Sequence, residues 1–419
     1  MRMSGEMAVM DSYIDGTPIA KSLLQMAKKD GVPKSIAKEL VSALTSRKHS
    51  VLESLTLQYN RDRVCEPLIT RDVEKTAASI GAVLEGTLYS VKTGTSVGDR
   101  LARAVSWQDF SVRNVLREQP DGKVSVNPGK LRASLSTSLS LTRDIVRYTE
   151  IVDHDSIPDK TLEMIKKMKE EGYVHCFTKN YFTNPFPSTG YMGIHTNFVS
   201  PYGQIIEIQV HSAESFAAKQ KGHALYEELR SNFNGVEDKE KKYGEIRAIH
   251  QAVPLPAGYD KVHDTRMPGK KVLSLVNAMR DKCEIRLTKR TGRKNLQYTL
   301  FSVCKGGKEC LNGFDVRFPD GDAWAYRKDA RDPDARFESI RRDPRGEGVA
   351  ETRVTLQKPV DFNLAEVARI AEKWLNTNKE WMKEHFPHGY TLDDINMENV
   401  PEQEKGDGNS LPGEGSPDR

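Results

Sequence analysis

Residues 190–210 read GYMGIHTNFVSPYGQIIEIQV, and the fold turns on how this stretch is read. Val199, Ser200, Pro201, Tyr202 and Gly203 form a turn, after which Ile205, Ile206, Ile208 and Val210 surround Glu207 and Gln209. Alternate residues of a strand share a face, so Glu207 and Gln209 point one way while Ile206, Ile208 and Val210 point the other. Two readings follow. One is an edge strand with a wet face; the other is a catalytic or metal-binding carboxylate held on a rigid sheet.

Outward from this hairpin the pattern alternates between strands and helices. Residues 141–153 (LTRDIVRYTEIVD) read as a strand. Residues 157–173 follow as an amphipathic helix with Leu162, Ile165 and Met168 inward and Gly172 ending it. A strand over 174–178, a Pro/Ser/Gly loop over 183–190, strands over 192–199 and 204–211 and a helix over 212–231 complete a small α/β core. Upstream, residues 17–60 are helical, with a first helix closing on Gly31 and a second starting at Pro33, an N1-type position. A further helix is expected over 70–84, and residues 86–130 are mixed, punctuated by Gly, Ser and Asn-Pro-Gly.

The texture changes after residues 253–260. CEIRLTKR, LQYTLFSVC and GFDVRFPDGDAWAYR read as strands, with turns at Gly306-Gly307 and Asp320-Gly321, and a helix is expected over 364–386. The expected organisation is an N-terminal helical region over 1–84, a core over 85–255, a C-terminal α+β domain over 260–390 and a disordered tail over 400–419. That tail is rich in Pro, Gly and acids and almost devoid of apolar residues.

Composition narrows the class. The chain has 419 residues, 37% apolar and 29% charged, with a net charge of +4. This mild basic excess suits a phosphate-bearing ligand and is too small to demand nucleic acid. No run of about 18 apolar residues marks a membrane span, and the opening residues lack the apolar stretch of a secretory signal. A cytoplasmic location is expected, with delivery into another cell as an effector left open. The five cysteines, at 65, 176, 283, 304 and 310, are scattered, which favours reduced thiols over a zinc site. The pairs His154-Asp155 and His263-Asp264 read as loop residues, since no further spaced metal ligands accompany them.

Candidate chemistry gathers in the core. Asp144 and Glu207 on neighbouring strands form the kind of carboxylate pair that holds Mg²⁺, which keeps its other positions for water and phosphate oxygens. Tyr191 at the hairpin mouth offers a face to a base, and Lys92, Arg100, Arg147 and Lys179 offer charge to phosphates. A metal, cations and an aromatic together describe a nucleotide site.

The stretch KNYFTNPFPSTGYMGIHTNFVSPYGQIIEIQV resembles the synthetase domain of the RelA/SpoT family of alarmone synthetases. The matching residues are Lys179, Tyr181, Pro185, Gly190-Tyr191, Ile194-His195-Thr196 and Glu207-Ile208-Gln209-Val210. RDIVRYTEIV resembles that family's aspartate strand, and Lys92, Ser96 and Arg100 match the spacing of its basic segment. The resemblance covers roughly residues 85–230, about a third of the chain. It implies a nucleotidyltransferase-like mixed sheet flanked by helices. It also implies transfer of the β,γ-pyrophosphate of ATP to the 3′-hydroxyl of a purine nucleotide, with release of AMP.

Under the resemblance, Asp144 and Glu207 would bind Mg²⁺ (Mn²⁺ being an alternative), and Glu207 would alternatively draw the acceptor's proton. Tyr191 would stack on the acceptor base. Lys92, Ser96, Arg100 and Lys179 would hold the ATP phosphates, and His195 and Gln209 would shape the acceptor side. His211 stands at a phosphate-contact arginine of the family. Other departures are Ser90 at the first basic position, Arg100 for lysine, Arg147 for glycine and Thr149 for arginine. With Lys219, His223, Tyr226 and Arg230 at helical spacing, the chain resembles a stand-alone, toxin- or effector-like branch, for which an immunity or regulatory protein is an expected partner. Two alternatives stay open: pyrophosphorylation of a tRNA 3′ end, and a degenerate nucleotide-binding sensor.

Overall fold

The computed structural model describes residues 14–46, 51–86, 90–92, 94–107, 110–231, 238–291, 297–317, 323–329, 338–342 and 351–355. In chain order the first elements are α1 (Gly16–Lys29), α2 (Lys34–Thr45), α3 (Val51–Val64), α4 (Glu66–Ile80) and β1 (Val83–Glu85). Next come α5 (Gly94–Trp107), β2 (Leu116–Glu118), β3 (Val124–Val126), α6 (Pro128–Ser140) and β4 (Val146–Ile151). The core continues with α7 (Ile157–Glu170), β5 (Val174–Asn180), β6 (Ile194–Val199), β7 (Ile205–His211), α8 (Ala213–Ser231), α9 (Lys239–Gln251), β8 (Thr265–Arg266) and α10 (Gly269–Arg280). The last six strands are β9 (Cys283–Thr291), β10 (Gln297–Lys305), β11 (Lys308–Arg317), β12 (Ala323–Asp329), β13 (Glu338–Arg342) and β14 (Glu351–Thr355). No described helix is long and apolar enough to cross a membrane.

The chain divides into two units. One comprises residues 1–68, 91–140 and 280–419, the other residues 69–90 and 141–279. These boundaries differ from the contiguous segments expected from sequence, because the chain leaves the second unit after residue 90 and re-enters it at 141. Composition along a chain cannot register such a return.

In the first unit, α1 packs on α5 and α2, and α3 packs on α6. Ile19, Leu23 and Met26 of α1 and Val97, Leu101 and Val105 of α5 are buried at helical spacing. Residues 86–130, read as mixed, contain α5 and the start of α6, whose Leu131, Leu135 and Leu139 form a buried i, i+4 stripe among serines. Pro33 sits at the N-cap before Lys34 rather than inside the helix, and the second helix ends at Thr45. Arg280 bridges Asp62 at 3.1 Å, and Arg61 donates to the Arg280 and Cys283 carbonyls, tying α3 to the start of β9. The strands β9 to β14 form an antiparallel meander in sequence order. The expected turn at Asp320-Gly321, the helix over 364–386 and the tail over 400–419 lie outside the described residues.

Gly98 allows the closest backbone approach in this unit. Asp15 caps α1 by accepting from the Thr17 amide at 2.8 Å, and a Cβ on Gly98 would stand 2.3 Å from the Asp15 carbonyl oxygen. Because that neighbour is backbone, relief requires α1 and α5 to separate. Gly98→Ala should therefore lower unfolding stability in urea by about 1–3 kcal/mol; an unchanged midpoint would contradict this packing.

The second unit is a mixed α/β layer structure. Its sheet has the order β1-β4-β7-β6-β5-β8, with β4 and β7 parallel and the other pairs antiparallel. The edge-strand reading of residues 204–211 does not hold: β7 is flanked by β4 and β6, and every one of its residues is buried. One sheet face carries Val146, Tyr148, Ile206, Ile208, Val210, Ile194 and Phe198 and is mainly apolar, with Thr196 and Glu150 buried among them. Helix α7 packs on β5 and β7 with Ile157, Met164, Ile165 and Met168 buried. Leu162, expected inward, is 46% exposed, because the buried stripe runs through Met164 instead. Gly172 adopts φ +88°, the left-handed conformation that ends α7 as expected.

Candidate active site

The opposite face of the same sheet explains why so apolar a strand carries a glutamate. Register pairs Arg147 with Glu207, Asn197 with Glu207, His195 with Gln209, and Lys179 with His195, so these residues share one face. At its far end that face is apolar, where Val199 and Ile205 cluster with Val272 and Val276 of α10. At the near end it is polar, beside α8. Glu207 thus belongs to the polar half of a covered face, not to a solvent-facing edge.

Glu207 is 9% exposed. Burial raises its pKa, but His195, Arg147 and a hydrogen bond from Gln209 outweigh burial and bring it to about 2. It is therefore an anion at neutral pH. Gln209 Nε2 donates to Glu207 Oε1 at 2.6 Å, and Lys219 Nζ of α8 donates to Gln209 Oε1 at 2.6 Å. Burial, with Arg147 nearby, pushes the Lys219 ammonium down to about 8. His195 Nδ1 lies 3.6 Å from Glu207 Oε2, a charge contact rather than a full hydrogen bond.

Tyr191 is half-buried, and its hydroxyl lies 2.7 Å from His195 Nε2 and 2.9 Å from His211 Nε2. The rings of Tyr181, His195, His211 and His250 meet it edge-on, with centroids 5.4 to 5.7 Å away. Burial, then the charge of Glu207, raises the phenol well above its ordinary range, so it keeps its proton. Gly193 makes the cluster possible. Its φ is +155°, and a Cβ there would stand 2.7 Å from the His211 ring.

His211, matched by sequence to a phosphate-contact position, is fully buried, and both its ring nitrogens are engaged: Nε2 with Tyr191 and Nδ1 with Ser215 Oγ at 2.9 Å. Burial and the neighbouring Lys219, His195 and His250 hold its pKa well below the histidine range. Lys179 pairs with Asp264, which also accepts from the Asn180 amide at 2.8 Å. Asp264 lies in a loop, as expected from sequence, and no local pattern announces its reach to β5. Ser90 is buried, and its carbonyl accepts from the Arg147 amide at 2.7 Å.

Asp144 is half-buried and lies in the bend before β4, which begins at Val146. Asn197, a residue missed in the sequence, ties this bend to β7: its Nδ2 donates to the Arg143 carbonyl and to the Ile206 carbonyl, both at 3.1 Å. Its Oδ1 is buried and has no hydrogen-bond partner among the described residues. Lys92, Ser96 and Arg100 fall in the first unit, with the Tyr59 hydroxyl donating to the Lys92 carbonyl at 2.8 Å. The described residues contain no cluster of three or more His, Cys, Asp or Glu suited to a metal.

No protein-family model matches the chain, and no curated protein matches it. Among solved structures, similarity was found to the crystal structure of the complex between the Type VI effector Tas1 and its immunity protein. The identity is 17%, covering 46% of this chain and 93% of that chain, with a TM-score of 0.28.

Proposed function

We propose that the second unit is an ATP-dependent pyrophosphokinase that transfers the β,γ-pyrophosphate of ATP to the 3′-hydroxyl of a purine nucleotide and releases AMP. The observation that carries this reading is a buried, ionised Glu207 at the centre of a polar sheet face, flanked by Arg147, Lys219 and His195. It is supported by the RelA/SpoT-like motif that places the same glutamate in the hairpin. Pyrophosphoryl transfer needs chiefly alignment and charge neutralisation, and a preorganised anion among fixed cations offers both.

The residues present fit Mg²⁺. Asp144 in the bend before β4, Glu207 on β7 and the unpartnered amide oxygen of Asn197 on β6 are the kind of hard oxygen donors this cation selects. Asp144 and Glu207 would hold it, and when bound it would neutralise charge on the ATP phosphates. The chain's own part is to keep Glu207 ionised, to fix the bend bearing Asp144 through Asn197, and to hold the Tyr191 hydroxyl between His195 and His211. Arg147 and Lys219 face the same carboxylate and would draw phosphate oxygens toward it.

A nucleotide sensor without turnover is the second reading, favoured by one observation. Arg147, in register with Glu207, supplies a resident positive charge where the related family carries glycine. Incubation with Mg²⁺, ATP labelled in its γ-phosphate, and GDP, GTP, ADP, AMP or tRNA separates the readings. Labelled nucleotide together with AMP is the expected result. Label only on tRNA would assign the RNA 3′ end, and no AMP with any acceptor would leave the sensor.

A further inference from the structure

Cys65 and Cys283 are distant in the chain and meet in the first unit. Cys65 directly follows α3, one helical turn beyond Arg61, and Cys283 opens β9. Residues four apart on a helix are neighbours, so Arg61 and Cys65 lie on the same side. Arg61 Nη2 donates to the Cys283 carbonyl at 2.7 Å and to the Arg280 carbonyl at 2.9 Å, which pins the start of β9 beside Cys65. The two side chains share a thiol–thiol hydrogen bond. Both are buried, and neither is in a disulfide.

A single buried cysteine is ordinarily a small hydrophobe that fills space. Two features set this pair apart: the thiols touch each other, and their surroundings differ. The hydrogen bond from Cys65, with Arg61 and Lys305 nearby, draws the Cys283 thiol below its ordinary range against the effect of burial. Burial first, then the bond to Cys283 and the charge of Asp62, push the Cys65 thiol well up. One member is thus disposed to ionise and the other to keep its proton, the division of labour between an attacking and a resolving thiol.

We infer that Cys65 and Cys283 form a redox-active dithiol, closed to a disulfide by a peroxide-class oxidant. With hydrogen peroxide, the Cys283 thiolate attacks one oxygen and the O–O bond breaks. The departing hydroxide takes the proton that Cys283 released and leaves as water, with a sulfenic acid remaining on Cys283. The Cys65 sulfur then displaces that hydroxyl: the S–S bond forms, the S–O bond breaks, and the Cys65 proton leaves with hydroxide as a second water. The two thiols together lose two electrons, and one peroxide gains them.

The bond would bracket residues 66–282, a span that contains every residue of the second unit. Oxidation therefore joins the chain near where it departs for the second unit to the place where it comes back, closing that whole insert into a loop. None of this depends on the pyrophosphokinase reading.

The test exposes the reduced full chain, freed of reductant, to hydrogen peroxide at neutral pH, beside glutathione as a control for oxidation. Alkylation, digestion without reductant and mass spectrometry should yield a peptide pair linked through Cys65 and Cys283, and dithiothreitol should reverse the link. Cys65→Ala, deprived of its resolving thiol, should accumulate a dimedone-trapped sulfenic acid on Cys283, whereas Cys283→Ala should accumulate none on Cys65. Cys304 and Cys310, both half-buried on the paired strands β10 and β11, provide an internal rival. A link confined to that pair, or wild-type Cys65 and Cys283 still alkylated after the glutathione is consumed, would overturn the inference. A dimedone adduct on Cys65 instead of Cys283 would overturn the assigned order of attack. The linked peptide is read on the wild type, so the outcome holds even where a variant fails to fold.

Discussion

Glu150→Gln should stabilise the protein increasingly as pH rises from 4.5 to 8, and not at all below that window. Glu150 is fully buried on β4, and neither carboxylate oxygen has a hydrogen-bond partner among the described residues. Register sets it between Leu84 of β1 and Val210 of β7, on the face shared with Val146 and Tyr148. Burial there raises its pKa from 4.5 to about 8. Below pH 4.5 the group is protonated in folded and unfolded chains alike and contributes no difference. Between the two values the unfolded chain releases the proton while the folded chain retains it, so each pH unit favours unfolding by about 1.4 kcal/mol. Above pH 8 both forms are ionised and the loss is constant, on the order of 4–5 kcal/mol. The isosteric amide carries no proton to lose. Urea unfolding of both proteins at pH 4, 6 and 8 reads the difference directly, since other titrating groups cancel in it. Parallel stability curves would show that Glu150 ionises in the folded protein as it does in the unfolded chain.

Replacing Glu207 by glutamine is expected to reduce kcat by a factor of about 10²–10³ in the AMP-release assay. The substitution keeps the shape and the hydrogen-bonding capacity toward Gln209 while removing the anion on which His195, Arg147 and Lys219 converge. Thermal unfolding of the variant should remain a single transition, because the surrounding cluster of hydrogen bonds retains its partners. Glu207→Asp, with the charge kept but withdrawn by one methylene, should fall between the two. Undiminished AMP release from a folded Glu207→Gln protein would remove Glu207 from the chemistry.

Local pattern carried much of the second unit. The hairpin at 194–211, α7 and α8 all follow from periodicity and turn residues, since each buries one face against a single layer. What escaped were features set by distant chain. The all-buried state of β7 depends on α8 and α10 covering its polar face, so alternation alone suggested an edge. Helix α6 hid behind serines, although its leucines recur every fourth residue. The site split in the same way. Glu207 and Tyr191 lie within one motif and were legible there. Asp264, Asn197 and Ser215 act through contacts to other elements and carry no signature of their own. Glu150 shares the parity of Val146 and Tyr148, which was the one available sign that its carboxyl would be buried.

The pairing of β1 with β4 has a consequence for synthesis and dissection. Residues 83–85 leave the ribosome well before residues 149–151, and residues 91–140 of the other unit emerge between them. Until β4 arrives, β1 has no neighbour to satisfy its backbone, so the sheet cannot close at this margin during translation. A fragment cut to residues 141–279 would lack β1 altogether and expose the open side of β4, a template for intermolecular pairing. Any excised version of this unit must therefore carry residues 69–90 with it, joined to residue 141 by a short linker.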